Sequence, residues 1–176
     1  EIALKNFSKN IHKIEKYYDF SIRQTILNEA RDLKLVASNY HNRAYNNPKL
    51  LIYNLKNPMN KLAAKIQLEG GARIEGVALI KPEQLLGIKI DKVTQVEKGI
   101  IYTKEKGGKQ GEVLVSLKTY AELENYLSLN SKFKINRQDY YNDIKQAAII
   151  SKEVSEGSHG LRWNFAKRRM FEYGKA

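Results

Sequence analysis

The sequence predicts an α+β domain, mainly helical, with a small three-stranded antiparallel sheet. Three observations carry this. Apolar residues recur at helical spacing through the first and last parts of the chain, β-branched runs cluster between Ile88 and Leu117, and a glycine-rich turn, Gly107-Gly108-Lys109-Gln110-Gly111, separates two of those runs. The order is helices, small sheet, helices.

From Phe7 to about Tyr53 the residues Ile11, Ile14 and Tyr18, then Ile22, Ile26 and Leu33, mark helical faces. Asn46-Asn47-Pro48 and Asn57-Pro58 break the pattern, and each opens an amphipathic stretch, residues 50–55 and 59–68. Gly70-Gly71 ends the second. A short helix is expected over residues 73–79, and Pro82 suits a first helical turn. Ile88, Ile90 and Val93 alternate with polar residues; residues 99–103 and 112–117 are β-branched and aromatic, so the last two strands form a hairpin. Thr119 is placed to cap a helix to about Leu129, Asn136 one over residues 137–154, and Ser158 one over residues 159–173. With no repeat, Ser/Gly linker or low-complexity tract, residues 1–176 read as one domain, 1–40 being a helical lead-in whose membership the sequence leaves open. The chain starts without methionine and runs on at its end, as expected for a piece of a longer protein.

The chain carries 31 Lys and Arg against 19 Asp and Glu, a formal net charge of +12. Such an excess attracts polyanions through the summed field, nucleic acid above all. No apolar run is long enough to cross a bilayer and Glu1-Ile2-Ala3-Leu4-Lys5 is not signal-like, so an intracellular, cytoplasmic protein with no membrane partner is expected. There is no cysteine, and the three histidines (His12, His41, His159) are scattered; no metal site and no cofactor is expected.

Three constellations could carry chemistry. In Gly70-Gly71-Ala72-Arg73-Ile74-Glu75 an arginine follows a glycine break at a helix start, where unpaired N–H groups and a guanidinium fork both suit an oxyanion; a solvated surface arginine is the plain alternative. In Tyr102-Thr103-Lys104-Glu105-Lys106-Gly107-Gly108-Lys109 the glycines allow a tight turn that projects a lysine, suited to protonating a leaving oxygen; hairpin turns are also basic simply to stay in water. The third, Ser158-His159-Gly160-Leu161-Arg162-Trp163-Asn164-Phe165-Ala166, puts His159 and Arg162 on one face near a helix N-terminus, with Leu161, Phe165 and Ala166 as the apolar strip.

Taken in order, these three segments resemble the tyrosine recombinases and phage integrases, including the Xer-like site-specific recombinases. There Gly-x-Arg, a β-hairpin lysine and His-x-x-Arg follow one another, the last as His-Gly-Leu-Arg before an apolar helix. The resemblance spans residues 70–166, and His159-Gly160-Leu161-Arg162 is its most specific part. It implies that Arg73, Lys106, His159 and Arg162 are catalytic, with Lys104 and Lys109 as alternatives for the lysine. It further implies double-stranded DNA as substrate, self-association on DNA, and a tyrosine that attacks a phosphodiester to give a 3′-phosphotyrosyl link. Two departures stand out: Gly76 occupies the position of the usual acid, with Glu75 beside it, and the tyrosine that the family carries several turns after His-x-x-Arg is expected beyond residue 176, not at Tyr173. The 176 residues alone are therefore expected to be inactive. Lys65, Arg137, Tyr140, Lys145, Lys167, Arg168 and Arg169 are candidates for phosphate and sugar contacts. The rival readings are a noncatalytic basic DNA- or RNA-binding module and a basic scaffold protein; only the enzyme requires Arg73, His159 and Arg162 to converge.

Overall fold

The computed structural model describes residues 42–104 and 110–175, together with Thr25, Asn28 and Glu29. By its contacts the chain divides into two units, Glu1–Asn42 and Arg43–Ala176. The expected lead-in helices over residues 1–40 lie outside the described residues, those three excepted.

The second unit opens with α1 (Pro48–Asn54) and α2 (Pro58–Gly70), and the breaker signals act as their caps. The Asn47 side chain accepts from the Leu50 amide and that of Asn57 from the Met59 amide, while Pro48 and Pro58 occupy the first turns, where a missing N–H costs nothing. Gly71, at φ +72°, closes α2 in the left-handed conformation. α3 is a single turn, Ile74–Val77, with Arg73 at its N-cap, and a 3₁₀ turn over Pro82–Gln84 leads into the sheet.

The sheet has the order β1-β2-β3, from β1 (Leu85–Ile90), β2 (Glu97–Lys104) and β3 (Gln110–Val115), antiparallel throughout. β2 pairs with β3 from Gly99↔Val115 to Lys104↔Gln110, which is the expected hairpin. Val93 is not in a strand. It lies in a turn that Asp91 organises, accepting from the Val93 amide and the Thr94 hydroxyl.

Three helices follow: α4 (Leu117–Leu129), α5 (Arg137–Ile150) and α6 (Gly157–Tyr173). Asn136 caps α5 as expected, accepting from the Gln138 and Asp139 amides. The other two caps differ from the sequence expectation. Ser116, not Thr119, caps α4, because the Glu69 carboxylate takes the Ser116 amide at 2.7 Å and the Thr119 hydroxyl at 3.0 Å, drawing the helix start against α2. The α6 cap position is Glu156 rather than Ser158, and its carboxylate pairs with Arg43 at 2.8 Å instead of capping. α5 also stops at Ile150, short of residue 154, where Lys152 turns to φ +56° and Glu153 binds the amides of Asn46 and Asn47.

The helix α2 is central, contacting α1, α3, α4, α6 and β3. Ile66 of α2, Ile101 of β2, Leu123 of α4, Ile144 of α5 and Leu161 of α6 are fully buried around it. Each such side chain contributes on the order of 2 kcal/mol by leaving water. Among the described residues no helix is long and apolar enough to cross a membrane.

Candidate active site

The site candidates are set by two chain segments, the loop Gly71-Ala72-Arg73 at the end of α2 and the first turns of α6. A left-handed residue is needed to turn the chain out of α2, and only glycine adopts that conformation without strain. Space imposes the same choice. A Cβ at Gly71 would lie 2.3 Å from the Phe165 ring, so α6 packs directly on the turn. The chain then leaves Ala72, which is buried, and delivers Arg73 half-buried at the start of α3.

The start of α6 is held by the segment just before α1. Asn164 accepts from the Tyr45 amide at 3.0 Å and donates to the Tyr45 carbonyl at 2.7 Å. The Tyr45 hydroxyl in turn donates to the Gly157 carbonyl and accepts from the Glu156 amide. Burial pushes the Tyr45 phenol up to about 12, so it stays a neutral donor. Gly160 is the residue that lets the two segments meet: a Cβ there would sit 2.4 Å from the Tyr45 ring and 2.9 Å from the Arg43 carbonyl. The glycine of His159-Gly160-Leu161-Arg162 is thus a packing requirement.

From this anchored helix Arg162 reaches across to the loop, its Nε donating to the Gly71 carbonyl at 2.8 Å. The same guanidinium borders a cleft of about 220 Å³, whose other walls include Ala72, Thr103, Gln110 and Gly111. The cleft therefore joins the loop, α6 and the base of the hairpin. His159 is exposed one turn before Arg162 on α6. Lys106 and Lys109 lie outside the described residues; Lys104 is exposed at the end of β2. Glu75 is exposed and lies 3.9 Å from Arg137.

Several residues named from sequence as phosphate contacts have other work. Tyr140 is buried, Lys65 holds both Glu122 oxygens, and Arg169 binds Asp91 with two nitrogens, at 2.5 and 2.7 Å. Those hydrogen bonds hold the Asp91 carboxyl well below the usual carboxylate range, and they also raise the Arg169 guanidinium. Arg168 donates to the Glu69 carbonyl. Lys145 and Lys167 remain exposed. Two larger clefts lie elsewhere: one of about 300 Å³ beside the Asp91–Arg169 pair, and one of about 620 Å³ bordered by Lys49, Lys61 and Lys118. Neither includes Arg73 or Arg162. Among the described residues no group of three or more His, Asp or Glu is placed to hold a metal ion.

Sequence reasoning missed Tyr45, Asn164 and Gln67 as residues that fix this geometry. The available signal was a polar residue, Gln67, on the same face of α2 as Ala63 and Ala64, which are fully buried.

No protein-family model matches the sequence, and no curated protein does. Solved structures do. The XerH site-specific recombinase bound to difH substrate, a pre-cleavage complex, superposes with a TM-score of 0.53 at 16% identity, over 72% of this chain and 42% of that one. XerH on a palindromic difH substrate, a post-cleavage complex, gives 0.56 at 17% identity, over 80% of this chain and 48% of that one. The XerA recombinase gives 0.50 at 16% identity, over 96% and 68%. The chain has a fold like that of the tyrosine recombinase catalytic domain, mainly helical with a three-stranded antiparallel sheet. It spans less than half the length of the XerH chains it is similar to.

Proposed function

We propose that this chain supplies the phosphodiester-handling domain of a site-specific DNA recombinase or integrase that works through a 3′-phosphotyrosyl intermediate. One observation carries the reading furthest: Arg162 of α6 is hydrogen-bonded to the loop that presents Arg73, two residues away. Arg162 borders the 220 Å³ cleft and Arg73 leaves the loop that forms its wall at Gly71 and Ala72; two guanidiniums brought to one phosphorane would stabilise its added negative charge with preorganised forks. The net charge of +12 and the exposed Lys49 and Lys118 support DNA as the partner, as does the likeness to site-specific recombinases described as bound to difH substrate.

In this reading Arg73 and Arg162 grip the nonbridging oxygens of the scissile phosphate, and His159 hydrogen-bonds the same group or assists as base. A tyrosine oxygen attacks phosphorus, the P–O5′ bond breaks, and the 5′-oxygen takes a proton from Lys106. The phosphotyrosyl ester keeps the bond energy until a 5′-hydroxyl from a partner strand reverses the step. Tyr173 does not fit the nucleophile's role. It lies 11 residues beyond Arg162 on one continuous helix, about 16 Å along the axis at 1.5 Å per residue, with its ring under Arg169 at 5.1 Å. The attacking tyrosine comes from elsewhere in the full-length protein, and self-association on DNA brings two cleaved strands together.

The test separates binding from chemistry. The 176-residue chain is expected to bind duplex DNA with an affinity that falls steeply with salt, and to form no covalent adduct on denaturing gels. The full-length protein is expected to form one on a nicked substrate carrying its target site. Arg162→Ala there should lose adduct about a hundredfold or more while weakening binding only a few-fold. Salt-dependent binding with no adduct from the full-length protein would favour a noncatalytic DNA- or RNA-binding module instead.

A further inference from the structure

We infer that Gln67 and Tyr140 are positioning residues for Arg73, forming a buried hydrogen-bonded strut that fixes the peptide from which that arginine departs. The inference rests on the recombinase reading of Arg73 given above. Its starting point is a pair of polar side chains where neither is expected. Gln67 is 0% exposed and Tyr140 1%. Burying such groups is costly unless each finds a partner, and here every bond runs in one direction, towards the loop. The Tyr140 hydroxyl, on α5, donates to Gln67 Oε1 at 2.7 Å. Gln67 Nε2, on α2, donates to the Ala72 carbonyl at 3.1 Å.

The Ala72 carbonyl and the Arg73 amide belong to one planar peptide unit, so holding the carbonyl sets the direction in which Arg73 leaves the loop. The preceding peptide is held as well, since its carbonyl, that of Gly71, accepts from Arg162. Two consecutive peptide planes are thereby gripped by side chains of three helices, α2, α5 and α6. The grip has a reason. Gly71 is the residue that turns the chain, and a glycine on its own permits many orientations of the next peptide. Burial pushes the Tyr140 phenol well above its ordinary value, so the hydroxyl remains a donor at working pH. A bond serving only to glue α5 to α2 would end on a side chain or helix backbone, whereas this one ends one peptide before the proposed phosphate clamp.

The experiment uses Tyr140→Phe, which removes a single oxygen, and Gln67→Met, which keeps the volume but removes both polar atoms. In the full-length protein on its target DNA, Tyr140→Phe is expected to lower the single-turnover rate of adduct formation at least tenfold and to leave DNA affinity within about twofold. In an Arg73→Ala background the same substitution is expected to change the residual rate by less than twofold, because its effect passes through Arg73. Equal fractional losses in both backgrounds would overturn the inference. So would an unchanged rate in Tyr140→Phe where Arg73→Ala is impaired. If Arg73→Ala itself leaves the rate intact, it is the catalytic reading of Arg73 that falls. A second measurement needs no activity: hydrogen exchange of the 176-residue chain. With either variant, protection at residues 76–78, whose amides donate to the Arg73 and Ile74 carbonyls, should drop at least tenfold relative to the β2–β3 ladder, and a uniform loss across the domain would assign the pair a purely structural role.

Discussion

The two halves of α6 are built differently, although one helix runs through both. In the first half Gly160 and Leu161 are buried, Asn164 makes two bonds to the Tyr45 backbone, and Arg162 reaches the Gly71 carbonyl. In the second half Met170, Phe171 and Tyr173 stand 75%, 64% and 62% exposed, and the tethers are the Arg169–Asp91 pair and the Arg168 bond to the Glu69 carbonyl. The first half is fixed by packing and polar bonds at once. The second is held by polar side chains at its surface, Arg169 on Asp91 and Arg168 on the Glu69 carbonyl. Setting a helix's rotation and its axial position together takes directional polar bonds as well as packing, which an apolar stripe alone does not supply.

The sharpest way to test this contrast is Leu161→Ala, which empties a fully buried site in the first half and is expected to cost about 2–5 kcal/mol by chemical denaturation. A loss under about 1 kcal/mol would show that the first half is not anchored through the core.

Next in size is Arg169→Met, which leaves the Asp91 carboxylate buried without its partner and is expected to cost about 2–3 kcal/mol at neutral pH. The pH dependence has a definite sign. Because Asp91 is held below its ordinary value of 3.8, its contribution is fully present above that value and is lost as pH falls towards the lower folded one. The variant lacks this contribution, so the gap between the two proteins should narrow in denaturation curves taken below about pH 3.

Tyr45→Phe removes the hydroxyl that bridges the Glu156 amide and the Gly157 carbonyl, at an expected cost of about 1–2 kcal/mol near neutrality. The folded phenol is raised to about 12 from 10.0, so its stabilisation is present below pH 10 and is lost between pH 10 and 12. The parent should therefore lose stability faster than the variant across that interval. Equal slopes would mean that Tyr45 ionises freely in the folded state.

The smallest effect belongs to Met170→Ser, where a side chain already in water is expected to change stability by less than about 0.5 kcal/mol. A larger loss would show that the second half of α6 packs against something.

Much of this was legible in the chain itself. Asn47-Pro48, Asn57-Pro58 and Asn136 announced three helix starts because an Asn cap and a first-turn proline act within a few residues of themselves. The hairpin was legible from two β-branched runs around glycines, and His159-Gly160-Leu161-Arg162 announced a resemblance that the fold supports. The misplaced caps of α4 and α6 have a shared cause. Glu69 and Arg43, far away in sequence, decide where Ser116 and Glu156 point.

What the sequence by itself determined was local: helix and strand identity, basic character, and the order of the arginine, hairpin and histidine motifs. Only the tertiary structure decided which cations are already engaged, as Arg169 and Lys65 are, and which polar groups are struts, as Gln67 and Tyr140 are. The physical reason is range. Propensity, capping and periodicity operate over a turn or two of chain, whereas the partner of a buried polar group is chosen by packing between elements that the sequence keeps 73 residues apart in the case of Tyr140 and Gln67, and 91 in that of Arg162 and Gly71.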